Sequence, residues 1–417
     1  MNMSDSLLWK RKVLPNGLRV LLFPRSSGLT TQISVAVEYG SNDDSEDKSG
    51  TAHFLEHMIP GGSQKRIELA RDIERLGGCL DFFTTPDCTI TVADVMAEKM
   101  DKASRILLEL LFGFDSSFEK DNFERERKII QHEIAESSDD PWTRINEVLA
   151  ECLFKTHPIR RPVSGCRKTI AELNMKGIEE SYITRYSPQN MILAMTGKFS
   201  DTEFETVLQN FADAKNAKGV SRKVTHLENG EPERGITKKK SGISQTYLSI
   251  GAKTVPGGHG DIPVLQLLNT VLGEGASSRL FIELREKNTL AYNIESLLDY
   301  GVDYGYFHVD CALKSTQLDK TTNLIQRELA RICNEKIPEE ELNKAKDMTV
   351  SDVLREIDSP AGLPQALISL EIFHKSKKSL TEYLAEMRAV SSQEIIEVAN
   401  KYLQSGNCST VVLTPKI

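Results

Sequence analysis

His53, Glu56 and His57 place two imidazoles and a carboxylate at relative positions 0, 3 and 4. On an α-helix these positions share one face, because 3.6 residues make a turn. Two such histidines can hold one zinc ion while the glutamate stands beside it. That is the first half of a hydrolytic zinc site, in the inverted order H-x-x-E-H. An amphipathic helix with two solvated surface histidines would carry the same letters. The neighbours argue against that reading: Phe54, Leu55, Met58 and Ile59 are apolar, so the helix is expected to be partly buried. Buried polar groups need a partner, and a metal supplies one. Thr51 is the expected N-cap. Pro60, Gly61 and Gly62 are expected to stop the helix one turn past His57.

A zinc hydrolase needs a third protein ligand and a position left open for water. The carboxylate-rich stretch Phe118 to Ser137 is the place to look. Phe123, Ile129, Ile130 and Ile134 form its apolar stripe, and Glu126 and Glu133 lie two turns apart on nearly one face. His132 is an alternative ligand on a different side of that helix. Arg125 and Arg127 offer the glutamates ordinary helical ion pairs instead. Spacing alone leaves these readings open.

The run from Gly50 to Met58, followed by Glu126 and Glu133, resembles the pitrilysin-type zinc peptidases, whose members include insulysin and the mitochondrial processing peptidase. The run Leu76 to Thr85 resembles that family's strand lining the cleft and pairing with substrate. His157 to Gly165 resembles a loop that serves structure. Ser278 to Tyr292 resembles the signature of the family's second half. The resemblance implies that His53, His57 and Glu133 are zinc ligands and that Glu56 is the general base acting on water. It implies that Glu126 orients a ligand histidine, and that Arg285 and Tyr292 bind the scissile carbonyl or its developing charge. Asp81 and Thr84 fall on the substrate strand. Three positions depart from the pattern: Asp81 replaces a usual asparagine, Thr289 a usual glycine, and Pro60 to Ser63 a more usual Phe-Lys-Gly. They bear on specificity rather than on the metal.

The elements that must position these residues read as a duplicated plan. Arg11 to Leu14, the turn Pro15-Asn16-Gly17, and Leu18 to Phe23 form a β-hairpin. Ile33, Val35, Val37 and Tyr39 alternate as a strand. After the zinc helix come a helix over 65–76, strands over 80–84 and 89–95, helices through much of 97–186, a strand over 190–196 and a helix over 201–212. Residues 216–242 have linker composition, and the lysines Lys238, Lys239 and Lys240 read as part of it. A second set follows: a strand over 246–251, helices over 261–287, strands over 291–298 and 304–313, four or five helices, and a strand over 409–413. The expected fold class is α+β, with two duplicated domains, each a mostly antiparallel sheet with helices packed on one face. The boundaries are 1–215 for a zinc-binding catalytic domain and 243–417 for a domain carrying the Arg/Tyr pair.

The chain of 417 residues has 39% hydrophobic and 27% charged residues, a composition ordinary for a globular protein of this size. The net charge of −8 without a dense basic stripe argues against a nucleic-acid partner. No apolar run is long enough for a transmembrane helix, and the N-terminal residues lack a secretory core. Seven cysteines without a C-x-x-C pair fit reduced thiols and a cytoplasmic location. Gly273 to Gly275 and Pro256 to Gly260 lack the lysine and spacing of a phosphate loop. The expected activity is hydrolysis of internal bonds of unfolded peptides. In the resembled family four such domains close a chamber, so a two-domain chain implies a homodimer or a heterodimer with a related chain. The rival expectation is a catalytically silent scaffold or partner subunit.

Overall fold

The computed structural model describes residues 9–25, 28–59, 62–113, 118–214, 228, 231–359, 362–374 and 378–416. Pro60 and Gly61, expected to stop the zinc helix, lie outside them, as do residues 1–8 and most of 215–230. The strands are β1 (Lys10–Val13), β2 (Arg19–Pro24), β3 (Thr30–Val37), β4 (Cys79–Thr84), β5 (Thr89–Met96), β6 (Met191–Gly197), β7 (Gly235–Lys240), β8 (Thr246–Lys253), β9 (Ala291–Tyr300), β10 (Gly305–Leu313) and β11 (Cys408–Pro415). The helices are α1 (Thr51–Met58), α2 (Ser63–Arg75), α3 (Met100–Phe112), α4 (Lys120–Asp139), α5 (Pro141–Leu153), α6 (Arg167–Glu172) and α7 (Met175–Arg185). They continue with α8 (Asp201–Ala212), α9 (Ile262–Gly273), α10 (Leu318–Asn334), α11 (Glu339–Asp358), α12 (Gly362–His374), α13 (Leu380–Ala389) and α14 (Ser392–Tyr402).

The Asn16-Gly17 turn forms as the sequence predicts. Leu14 and Leu18 close it, and Gly17 takes φ +88°, a conformation that favours glycine. The hairpin feeds a six-stranded sheet of order β1-β2-β6-β3-β5-β4. Every neighbouring pair is antiparallel except β2 with β6. The second sheet has the order β7-β11-β8-β10-β9, again with one parallel pair, β7 with β11. This order reproduces β2-β6-β3-β5-β4, so the duplication inferred from the echoing sequence is present in the topology. The fold class is α+β.

The odd-numbered residues of β3, Ile33, Val35 and Val37, meet Phe54, Leu55, Leu107, Ile130 and Phe211 in the first core. Full burial of each such side chain contributes roughly 1.5–3 kcal/mol. The second core joins Ile250, Phe307 and Val309 to helices α9, α10 and α14. Each sheet's other face carries one further helix. In the first unit it is α12, which packs on β3 and β6 and whose buried Glu371 pairs with Arg11 at 2.9 Å. In the second unit it is α5, which sets Ile145, Val148 and Leu149 against Val411 and Leu413.

The compact units are therefore discontinuous in sequence. One gathers Met1–Ala135, Pro162–Lys223 and Arg355–Lys377; the other gathers Glu136–Arg161, Val224–Leu354 and Lys378–Ile417. The sequence-drawn halves, 1–215 and 243–417, are contiguous and do not contain this exchange of α5 and α12. The expected linker also differs: Gly235–Lys240 is strand β7, paired with β11. Its lysines occupy an edge strand, where charge blocks pairing with other chains. The other lysine-rich edge is β1, with Lys10, Arg11 and Lys12. The opposite edges, β4 and β9, contain no lysine, arginine or proline.

Candidate metal centre

Helix α1 is eight residues long, with Phe54, Leu55 and Met58 fully buried. Thr51 is not its N-cap. Gly50 holds that place at φ +95°, and the Thr51 hydroxyl donates to Lys48 O. Cap acceptance comes instead from Asp44, whose carboxylate takes the N–H groups of Gly50 at 2.9 Å and Ala52 at 3.2 Å and the Tyr39 hydroxyl at 2.9 Å. This satisfies helix donors that would otherwise be orphaned and sets negative charge at the helix start. A Cβ at Gly50 would meet Ser164 O at 2.7 Å, and one at Gly165 would meet Ser49 O at 2.4 Å. The loop ending at Gly165 thus presses its backbone on the entry to α1, in keeping with a structural role.

His53 and His57 leave α1 with ring centroids 4.8 Å apart. Glu133 arrives from α4: its Oε2 lies 3.7 Å from His53 Nε2 and 3.5 Å from His57 Nε2. A tetrahedral zinc site with bonds of 2.0–2.1 Å separates its ligand atoms by about 3.3 Å, so this set fits a zinc ion. These three are the one group of potential ligands gathered this closely among the described residues. Glu126, one of two carboxylates on the same face of α4, is 2% exposed and accepts from His57 Nδ1 at 3.2 Å. That contact puts the His57 proton on Nδ1 and leaves Nε2 to face Glu133. His53 Nδ1 is buried with no hydrogen-bond partner among the described residues. His132 does not join the group.

The electrostatics follow from the geometry. Burial pushes His57 down, but the carboxylates of Glu126 and Glu133 outweigh it and hold its pKa up at about 9. His53 is lowered, first by burial and then by the neighbouring His57. Glu133 is lowered, chiefly by its bond to His57. Anionic groups crowd a small volume, as they do where a cation is held.

Glu56, 6% exposed, stands on the same helix, and its Oε2 accepts the Thr84 hydroxyl at 2.8 Å. The Thr84 side chain is therefore engaged with Glu56. Asp81 is exposed on the edge strand β4. The Thr85–Cys88 turn and the register with β5 direct the Phe82 N–H toward the open edge, where Asp81 Oδ1 accepts it at 3.0 Å. Two residues escaped the sequence reading. Asp44 had the signal of an acid shortly before a helix. Arg66, on α2, donates to the Glu56 carbonyl oxygen and had no local signal.

Arg285 and Tyr292 lie in the second unit and touch each other. The guanidinium sits over the tyrosine ring at 4.5 Å and donates to Tyr292 O at 3.3 Å. Arg285 belongs to a π-helical stretch, Phe281–Lys287, and Tyr292 is 74% exposed at the start of β9. With Trp142, Asn146, Glu295 and Asp310 they line a cavity of about 330 Å³. Between them Thr289 adopts φ +51°, the one positive φ outside glycine among the described residues. A β-branched residue in that region is strained by ~1–2 kcal/mol. Thr289→Gly should raise unfolding stability by about 1 kcal/mol, less the entropy glycine loses on folding. A urea midpoint lowered by the full glycine entropy cost of ~0.5–1 kcal/mol would show that the turn holds threonine without strain.

In the second unit, α9 follows β8 as α1 follows β3. At the spacing of the histidine motif it carries Gln266, Asn269 and Thr270. Gln266 bonds Tyr300 at 3.3 Å, Asn269 bonds Glu274 at 2.7 Å and Thr270 bonds Thr349 at 2.8 Å. Helix α9 contains no histidine, cysteine or acidic residue that could hold a metal.

Residues 19–167 match the family model described as insulinase (peptidase family M16), and residues 173–349 match that described as peptidase M16 inactive domain. A Bacillus subtilis protein named uncharacterized zinc protease YmxG is 27% identical over 94% of this chain and 95% of its own. A protease from Helicobacter pylori superposes with a TM-score of 0.88 at 22% identity, covering 98% of this chain and 99% of that one. A Pseudomonas fluorescens structure titled peptidase M16 inactive domain gives 0.86 at 19%, covering 99% of both. With both halves matched in order, the chain belongs to the M16 family of peptidases.

Proposed function

We propose that this protein is a zinc metalloendopeptidase that cleaves internal bonds of unfolded peptides. The observation that carries the reading is the meeting of His53, His57 and Glu133 beside the buried carboxylate of Glu56. Zinc held there supplies Lewis-acid chemistry, activating water and polarising the carbonyl. Glu56 takes the proton from the attacking water and later delivers it to the leaving amine. The Thr84 hydroxyl keeps the Glu56 carboxylate oriented. Glu126 holds the His57 ring in place. The peptide adds as an extended strand on β4, whose free edge lacks the lysines that guard β1 and β7. Main-chain pairing of this kind tolerates many sequences but requires an unfolded segment.

Arg285 and Tyr292 would act on the scissile carbonyl when supplied by a second subunit, so that two copies, or a copy and a related chain, enclose the peptide. No helix among the described residues is long and apolar enough to cross a membrane, and the seven free thiols fit a cytoplasmic setting. A silent scaffold is the rival, and the intact ligand set beside Glu56 favours the enzyme.

Digestion of a peptide library with and without a chelator tests the activity. The expected result is cleavage of unstructured peptides that the chelator abolishes and zinc restores; chelator-insensitive cleavage, or none, contradicts it. Mixing a Glu56→Gln subunit with an Arg285→Ala subunit tests sharing between copies. Activity should reappear in the mixture, and its absence would count against a homodimeric site.

A further inference from the structure

The residue that the metal chemistry leaves unexplained is Arg66. It lies on α2, yet its contacts are with α1 and β4. Its guanidinium donates to the carbonyl oxygen of Glu56 and, at 3.3 Å, to that of Ile59. It stands 3.9 Å from Glu56 Oε1 and 4.4 Å from the centre of the Phe82 ring. Its side chain is 21% exposed, so these contacts are made largely away from water.

Three physical arguments converge on it. The last carbonyls of an eight-residue helix have no partners within that helix, and a cation at the C-terminus satisfies them. The Glu56 carbonyl belongs to the last turn and the Ile59 carbonyl to the residue that ends the helix, so whatever fixes them fixes the turn bearing Glu56 and His57. Charge is the second argument. Burial works against the Arg66 charge, and the carboxylates of Glu56, at 3.9 Å, and of Glu126 and Glu133 favour it. Three carboxylates against a divalent ion leave one negative charge, which a single guanidinium cancels. The third is the stacking on Phe82, a residue of the free-edge strand adjacent to Asp81. One planar cation thus touches the helix that carries the base and the strand on which a peptide would dock.

We propose that Arg66 is a positioning residue for Glu56, locking the final turn of α1 and tying it to β4 so that the base is set when a peptide strand is bound. The proposal rests on the zinc-peptidase reading above. It assigns Arg66 no contact with substrate. Lysine would keep the charge but lose the fork that reaches two carbonyls and the flat face that stacks on Phe82.

The test compares wild type, Arg66→Lys and Arg66→Ala. Each is measured for zinc per chain, zinc affinity against a competing chelator, thermal midpoint, kcat and KM. Arg66→Ala should keep one zinc per chain and lose kcat by roughly 10–100-fold, the size of effect expected when a reacting group is misplaced by about 1 Å. KM should change much less. Methylguanidinium added to Arg66→Ala should restore part of kcat, and Arg66→Lys should fall between the two. Wild-type kcat in Arg66→Ala overturns the proposal. So does a loss of kcat that matches loss of zinc and resists methylguanidinium, since that is a structural role only. Should Arg66→Ala fail to fold, Arg66→Lys decides, with wild-type kcat overturning the proposal and a reduced kcat at full zinc content supporting it. A wild type without chelator-sensitive cleavage sinks the zinc-peptidase reading itself, and this proposal with it.

Discussion

Glu56→Gln should lower turnover by roughly 10²–10⁴-fold, the usual contribution of a positioned general base, while zinc content stays at the wild-type level. Glutamine preserves the shape of the side chain and can still accept the Thr84 hydroxyl, so the buried pocket around position 56 stays filled. What it cannot do is take a proton. Glu56 is not in the group that His53, His57 and Glu133 form, so its loss leaves the ligand atoms in place. Steady-state kinetics with metal analysis of the same sample separates the two effects. Wild-type turnover in Glu56→Gln removes the base from the mechanism. Loss of zinc together with activity would show that Glu56 holds the metal rather than the proton.

Glu133→Ala should act on the metal. It removes the one proposed ligand that comes from α4 and leaves two imidazoles from a single short helix. Zinc affinity should fall by more than the roughly 10–100-fold cost of losing an outer partner. Glu126→Gln supplies that comparison, because Glu126 reaches His57 through Nδ1, the nitrogen turned away from Glu133. The ordering of the two variants is the informative result. A bound metal stabilises the folded state in proportion to its affinity, so the thermal midpoint of Glu133→Ala should also stop responding to added zinc. Equal zinc binding by Glu133→Ala and wild type would exclude Glu133 as a ligand.

Much of this site was legible in the sequence because its parts are local. The spacing of His53, Glu56 and His57 needs only a helix to become a face, and the apolar neighbours Phe54 and Leu55 made that helix a buried one. Glu126 and Glu133 shared a face for the same reason, and which one faces which nitrogen of His57 required coordinates. The parts that were not legible depend on how loops and neighbouring elements fold back on α1. Asp44 caps α1 across an intervening loop that displaced Thr51 from that role. Arg66 is chosen by its contacts with the end of α1 and with Phe82, and a single arginine on an amphipathic helix carries no sign of them in the sequence. Composition made Lys238 to Lys240 look like solvated linker, because an edge strand and a linker both favour lysine. The exchange of α5 and α12 was hidden for a different reason. Amphipathic stripes say that a helix packs on something apolar, and are silent on which sheet supplies it.

The central claim is that one metal ion is held by His53, His57 and Glu133. Its most direct test is the zinc content of the purified chain, measured by elemental analysis after exhaustive removal of loosely bound ions. The account predicts one zinc per chain in the wild type and none in His57→Ala. A wild type that takes up no divalent ion, or a His57→Ala protein that keeps a full equivalent, would contradict it.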